Sequence, residues 1–156
     1  MKTDVDVASP EYNSLGLPPI YQVGYAVNNV DATVAAMNPL FGPFDVFESD
    51  TSVEYHGEDT PVHLKIAIGH SGELEMEFIE VISGNSPHVG WLGAHGECVM
   101  HVAFKVDNVD DECARLADLG YVTEWRGDVP GTDIVFAYVR GSVDIGGHYL
   151  ELTQGF

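Results

Sequence analysis

The sequence predicts an α+β fold built from two fused βαβββ modules. Three observations predict it. The chain repeats itself: Gln22-Val-Gly-Tyr-Ala-Val-Asn-Asn-Val-Asp31 reads onto His101-Val-Ala-Phe-Lys-Val-Asp-Asn-Val-Asp110 at an offset of 79 residues, with five of the ten positions identical. A second echo, at an offset of 74, sets Glu77-Phe-Ile-Glu80 against Glu151-Leu-Thr-Gln154. Hydrophobic periodicity then gives the same order of elements in each half. The first aligned pair, Gln22 and His101, offers two metal-ligating side chains at the start of equivalent strands. A duplicated module that supplies one ligand early and one late, twice over, can close four ligands around one ion.

Residues 1–19 read as an arm, with Pro10, Pro18 and Pro19 among Asn13, Ser14 and Gly16, packing across the fold or against a partner subunit. The first module spans 20–82. Ile20–Val27 is rich in β-branched and aromatic residues and reads as a strand. Asn28-Asn-Val-Asp31 offers capping side chains for a helix over Asp31–Met37, stopped near Asn38-Pro39. A strand starts at Phe44–Glu48 and reaches toward Tyr55. Val62–Ile68 alternates Val62, Leu64, Ile66 and Ile68 with His63, Lys65 and Ala67, and Gly69–Gly72 turns it back. In Glu73–Ile82 the alternation is unusual, because Glu73, Glu75 and Glu77 share the face opposite Leu74, Met76 and Phe78. Residues 83–98, with five glycines and prolines between Gly84 and Gly96, plus Trp91, His88 and His95, read as a linker loop that covers part of a site. The second module, 99–156, restarts with the strand Val99–Val106. It continues with a helix over Asp110–Leu119 stopped by Gly120, then strands at Tyr121–Arg126, Ile134–Arg140 and Gly147–Thr153.

At 156 residues the chain suits one domain or two small fused modules, and it buries enough surface to fold without disulfides. Cys98 and Cys113 make no framework and fit a reducing cytoplasm. The start has no basic region and apolar run of a signal peptide, and no apolar stretch is long enough to span a membrane. Six Lys+Arg against 25 Asp+Glu give a net charge of −19, which repels nucleic acid and anionic lipid. A polyanionic ligand such as a coenzyme A thioester would need some of Lys65, Lys105, Arg115, Arg126 and Arg140 at its mouth, so a less charged substrate is easier to accommodate.

The modules resemble the vicinal oxygen chelate superfamily of glyoxalases, bleomycin-resistance proteins and dioxygenases. The resemblance covers about residues 20–154 and rests on the order of several patterns: Tyr-Gln-Val-Gly-Tyr-Ala-Val (21–27), Glu-Leu-Glu-Met-Glu-Phe-Ile-Glu (73–80), Asn-Ser-Pro (85–87), Met-His-Val-Ala-Phe-Lys-Val (100–106) and Gly-Gly-His-Tyr-Leu-Glu-Leu (146–152). It is closest to the glyoxalase I-like and methylmalonyl-CoA epimerase-like branch, though Met100-His101 keeps only one histidine of the pair often found there. The resemblance implies a curved mixed sheet around a U-shaped cleft. It also implies metal ligands on the first and last strands of each module, here Gln22, Glu77, His101 and Glu151. The modules pair within one chain or across a dimer, and a homodimer is expected.

Each ligand has a plainer alternative. Gln22 is otherwise a surface-facing strand residue, although an unpaired buried amide there costs roughly 1–3 kcal/mol. His101 is otherwise a hydrogen-bonded core histidine, and Glu151, between Leu150 and Leu152, an exposed carboxylate. Glu75 replaces Glu77 if the register shifts by two. His56, His63, His70, His88 and His95 read as surface or loop residues, and His148 faces away from Glu151. Tyr149, Phe136 and Tyr138 are candidate wall residues.

Mixed nitrogen and oxygen ligation suits Zn, Ni, Co, Mn or Fe. The resemblance implies an isomerase, epimerase or lyase that moves a proton next to a carbonyl through a metal-bound enolate, with Glu151 and Glu77 as proton carriers. The substrate is then a small carbonyl or acyl compound. Two alternatives stand beside it: a non-catalytic drug-binding protein with an acidic cleft for a cationic compound, and an Fe(II) ring-cleaving dioxygenase. The latter needs two histidines where this chain offers one.

Overall fold

The computed structural model describes residues 14–141 and 148–156. Eight strands and three helices follow in the order β1 (Gln22–Ala26), α1 (Val30–Phe41), β2 (Asp45–Tyr55), β3 (Glu58–Ser71), β4 (Leu74–Gly84), α2 (Pro87–His95), β5 (Cys98–Lys105), α3 (Val109–Ala117), β6 (Val122–Asp128), β7 (Val135–Arg140) and β8 (Tyr149–Gln154). The α+β architecture and the βαβββ order of each half are those expected. The sheet curls further than an open U. It closes as a barrel in the order β1-β4-β3-β2-β6-β7-β8-β5. Closure at β2 and β6 is a ladder of two pairs, Glu54↔Arg126 and Tyr55↔Trp125. The other seam is the full antiparallel pairing of β1 with β5, so the two modules meet within one chain.

The repeat is visible in atomic detail. Asn29 and Asn108 cap α1 and α3, their Oδ1 atoms accepting from Ala32 N at 2.8 Å and Asp111 N at 2.9 Å. The first helical N–H of each helix also donates to the last strand of its own module: Val30 N to Glu80 Oε2 at 2.8 Å, Val109 N to Gln154 Oε1 at 2.6 Å. Glu80 and Gln154 are the final pair of the second sequence echo. Each helix is thereby pinned to the last strand of its module, which carries Glu77 in the first and Glu151 in the second.

Three differences from the sequence expectation have physical causes. α1 runs through Pro39 to Phe41, whose ring packs 6.4 Å from that of Phe78, and Gly42 N closes the end on Asn38 O. β3 starts at Glu58, because His56 and Gly57 both take positive φ (50° and 81°) and form a tight two-residue hairpin. The expected linker loop folds instead as α2, with Pro87 in its first turn and Trp91 buried under it. Residues 1–13 of the expected arm, with Pro10 and Asn13, and 142–147 ahead of β8 lie outside the described residues. From residue 14 the arm does pack across the fold: Leu17 is buried with Phe104, Leu116 and Leu152.

Apolar layers lie on both surfaces of the sheet. Val30, Ala67, Met76 and Phe78 are buried between α1 and the first module, and Val109, Leu116, Ala137 and Val139 between α3 and the second. A third cluster inside the barrel joins Val53, Leu64, Ile79, Trp125 and Tyr138 to Trp91 of α2. The odd alternation of β4 follows from this. Leu74, Met76 and Phe78 point outward beneath α1, and Glu75 and Glu77 point into the barrel with Ile79 and Val81. Among the described residues no helix is long and apolar enough to cross a membrane.

Candidate metal centre

Four neighbouring strands, β4-β1-β5-β8, form the wall that carries the site. Their register builds two adjacent rows on the inner face. One row reads Glu77, Gly24, His101, Tyr149; the next reads Glu75, Gln22, Ala103, Glu151. Glycine and alanine in the middle leave the hollow into which the four larger side chains lean. Gly24 is needed for space, not for its φ: a Cβ there would overlap the His101 ring, Cε1 first.

The structure brings together all four residues expected as ligands. His101 Nε2 lies 3.0 Å from Gln22 Oε1, 3.2 Å from Glu77 Oε2 and 2.8 Å from Glu151 Oε2. Gln22 and His101 are buried, and Glu151 nearly so. Ligand atoms of Glu77, His101 and Glu151 all lie within 4.8 Å of one another. Three oxygen acceptors thus converge on one nitrogen that carries at most one hydrogen. Glu151 Oε2 is buried without any hydrogen-bond donor despite its closeness to that nitrogen. Unshared lone pairs aimed at one point fit a cation, and the mix of one imidazole, one amide and two carboxylates fits a divalent transition metal.

Electrostatics supports the same reading. Burial alone would lower the His101 imidazole, but the charges and contacts of Glu151 and Glu77 outweigh it and raise it to about 10. Glu77 is raised first by burial and further by the Glu151 charge, against the opposing pull of His101. A proton on His101 Nε2 and a cation at the same point would exclude each other.

A buried chain of hydrogen bonds stands behind the ring. His101 Nδ1 is 3.2 Å from the Tyr138 hydroxyl, which is 3.0 Å from His88 Nε2, whose Nδ1 is 2.8 Å from Ser86 Oγ. Burial lowers His88 to about 3, so it is neutral. One direction of donation serves every member. His101 Nδ1–H donates to Tyr138, Tyr138 O–H donates to His88 Nε2, and His88 Nδ1–H donates to Ser86. With Nδ1–H committed to Tyr138, Nε2 is the ring atom that faces the hollow, and loss of its proton would bare its lone pair there.

Glu75 does not join the cluster. Its Oε1 accepts from Gln22 Nε2 at 3.2 Å and so turns the amide oxygen inward. Glu75 is therefore a support for Gln22, at the register position expected for the site. His88 is not a loop residue; it is fully buried on α2. His148 is exposed, and Tyr149 is buried against Trp91 with its hydroxyl donating to Glu124 instead of lining the cavity. Sequence reasoning missed Gly24, Tyr138's contact with the ring and His88. Gly24 had a signal, since the repeat sets it opposite Ala103, small against small.

The centre opens into a cavity of about 550 Å³, lined by Gln22, Glu75, Glu77, Glu151 and Tyr138 at the site and by Phe47, Leu64, Ile134, Phe136 and Phe156 farther out. That volume suits a small organic ligand.

Comparisons with known proteins agree with this fold. Residues 21–138 match the model of the glyoxalase/bleomycin resistance protein/dioxygenase superfamily. No curated protein matches the chain. Among solved structures, methylmalonyl-CoA epimerase from Mycobacterium tuberculosis is 16% identical, with 90% of this chain and 89% of that one covered and a TM-score of 0.62. Methylmalonyl-CoA epimerase from Streptomyces coelicolor, solved with 2-nitronate-propionyl-CoA, is 22% identical over 89% of this chain and 98% of that one, with a TM-score of 0.59. A 4-hydroxymandelate synthase variant from Streptomyces coelicolor is 15% identical over 89% of this chain and 49% of that one, with a TM-score of 0.56. These likenesses are of fold, and the family match extends over most of the chain: this protein belongs to the glyoxalase/bleomycin resistance protein/dioxygenase superfamily.

Proposed function

We propose that the protein is a divalent-metal-dependent isomerase, epimerase or lyase that moves a proton on carbon next to a carbonyl. The observation that carries this reading is the convergence of Gln22 Oε1, Glu77 Oε2 and Glu151 Oε2 on His101 Nε2, which carries at most one hydrogen for all three. Those four residues would hold the ion, drawn from Zn, Ni, Co, Mn or Fe. When bound, it supplies Lewis acidity to a substrate oxygen.

The chain supplies the rest. Tyr138 and His88 fix the His101 ring, and Glu75 fixes the Gln22 amide, so neither donor has to reorganise as the reaction proceeds. Glu77 and Glu151 both face the cavity, within reach of a substrate carbon held there. One of the two carboxylates takes the proton next to the carbonyl. Delivery of a proton by the other carboxylate to the opposite face of the same carbon inverts it, leaving the first protonated; return of the abstracted proton to the neighbouring carbon isomerises the substrate. The apolar outer wall, from Leu64 to Phe136, excludes water while the carbon is deprotonated. Structural neighbours that are methylmalonyl-CoA epimerases support proton transfer of this kind. An acid-lined cavity also suits metal-free capture of a cationic compound, but that role needs no inward convergence of four donors.

The test is elemental analysis of the purified protein beside His101→Ala and Glu151→Ala, followed by solvent deuterium exchange into carbonyl substrates. One transition-metal ion per chain, absent from both variants, and metal-dependent exchange lost by about 10²–10⁴-fold in Glu77→Gln or Glu151→Gln are expected. Absence of metal after dialysis against all five ions would overturn the reading. A homodimer is the proposed assembly, checked by light scattering.

A further inference from the structure

One hydroxyl pair on the wall of the centre takes no part in holding the four converging residues. Tyr21 precedes Gln22, and its backbone is fixed between two strands: Tyr21 N donates to Ala103 O at 3.0 Å, and Tyr21 O accepts from Glu75 N at 2.8 Å. Its side chain crosses β5 to reach β8, where its hydroxyl lies 2.8 Å from Thr153 Oγ. Lys105, the partner of Thr153 in the β5–β8 ladder, holds Nζ 4.8 Å from the centre of the Tyr21 ring and 5.0 Å from that of Phe156. A cation held over both rings braces the phenol in this crossing. Thr153 follows Glu151 by two residues on the same face of β8, so the pair stands about 6.7 Å along the strand from the converging carboxylate. Tyr21 and Thr153 both line the cavity.

Two arrangements of hydrogens are open to the pair. Thr153 Oγ lies 3.3 Å from Phe104 O, a carbonyl that only accepts. In the first arrangement Thr153 donates to Phe104 and Tyr21 donates to Thr153. In the second, Thr153 donates to Tyr21 and the phenolic O–H turns to the cavity. The Phe104 contact is long for a bond between oxygens, so the switch gives up little. Among the described residues Tyr21 Oη has no other hydrogen-bond partner. The other polar side chains that line the cavity from this wall offer no free donor. Glu75, Glu77 and Glu151 accept when ionised, and Gln22 Nε2 already donates to Glu75.

We propose that Tyr21 is a specificity-determining residue: its O–H, released by Thr153, donates to an acceptor oxygen that the substrate carries outward from the group held at the centre. The substrate class selected is one with a carbonyl or carboxylate oxygen about one repeat of the strand, roughly 6.7 Å, beyond the reacting end. This rests on the reading of the centre as a metal site for proton transfer.

The test uses the zinc-loaded protein, its zinc content measured first, and three probes with the same metal-binding head: pentanohydroxamate, 4-oxopentanohydroxamate and succinic monohydroxamate. Calorimetry gives their dissociation constants. The parent protein is expected to bind at least one acceptor-bearing probe about fivefold or more tighter than the plain chain. Whichever of the two binds tighter identifies the acceptor as a neutral carbonyl or a carboxylate. Tyr21→Phe is expected to erase the preference and to leave zinc content and the plain probe unchanged. Thr153→Val, which strips the phenol of its protein acceptor, is expected to keep or widen the preference. A pair that only ties β1 to β8 would weaken all three probes alike in both variants, and that result overturns the proposal. Equal binding of the three probes by the parent, or no binding up to millimolar concentration, also overturns it. A preference that survives Tyr21→Phe belongs to Lys105 and overturns it too. A parent protein that retains no zinc overturns the metal centre as well; bound zinc and metal-dependent deuterium exchange without the preference keep the reaction and reject only the role of Tyr21.

Discussion

Gly24 makes the site possible by having no side chain. Its cross-strand partner is His101, and the imidazole occupies the space a Cβ would fill. Gly24→Ala is expected to expel the ring, abolish metal retention and cost about 1–3 kcal/mol of stability. Gly90→Ala, on α2 with open space around it, is the control and is expected to be neutral or slightly stabilising. Metal content and urea midpoints measure both. His101 carries a second prediction. Its imidazole is held at about 10, so at pH 7 it is protonated in the absence of an ion. Uptake of metal is expected to release close to one proton per ion and to tighten as pH rises toward 10, read with an indicator dye in weak buffer. At this scale, legibility followed the repeat. Gln22, His101, Glu77 and Glu151 could be read because each has a partner in the other half. Tyr138 and His88 could not, because their contact with the ring depends on how β7 and α2 approach β5, which no local pattern encodes.

β4 and α2 show two ways an element can mislead. In β4 the period of two was plain in the sequence, yet Leu74, Met76 and Phe78 face the outer surface under α1 and Glu75 and Glu77 the barrel interior, the reverse of a surface strand. α2 was hidden by its glycines, Gly90 and Gly93, which disfavour a helix locally. Tertiary packing overrides that cost: Trp91 and His88 are buried beneath the helix, and Ser86 bonds the His88 ring from its N-cap position. The buried histidine makes α2 sensitive to acid. His88 is lowered to about 3 by burial, whereas in the unfolded chain it takes a proton near pH 6.5. Below that pH the unfolded state binds a proton that the folded state refuses, so this contribution to stability is lost as pH falls from 6.5 toward 3. His88→Gln cannot titrate. With chelator present, the fall in urea midpoint between pH 6.5 and 4.5 is expected to be smaller in the variant than in the parent. An equal fall in both would remove His88 as the cause.

The closed barrel ties the whole molecule to its centre. The two modules share a long seam at β1–β5 and a short one at β2–β6, and the four converging residues come equally from both: Gln22 and Glu77 from the first, His101 and Glu151 from the second. The duplication was legible, because a repeat of ligands implies two-fold pairing around one point. Closure was not, because it depends on two ladder pairs at Glu54 and Tyr55 with no signature of their own. An ion held at this junction bridges the halves, and the unfolded chain does not reassemble four donors from strands so far apart in sequence. Binding to the folded state alone is worth about 2.7 kcal/mol when free metal is about a hundred times its dissociation constant. For a chain of this size that corresponds to a rise in Tm of roughly 5–10 °C. Scanning calorimetry with and without metal is expected to show the rise in the parent and to lose it in His101→Ala and in Glu151→Ala alike, since a ligand from either strand closes the same junction. A rise that survived both substitutions would place the stabilising ion elsewhere on this strongly acidic surface.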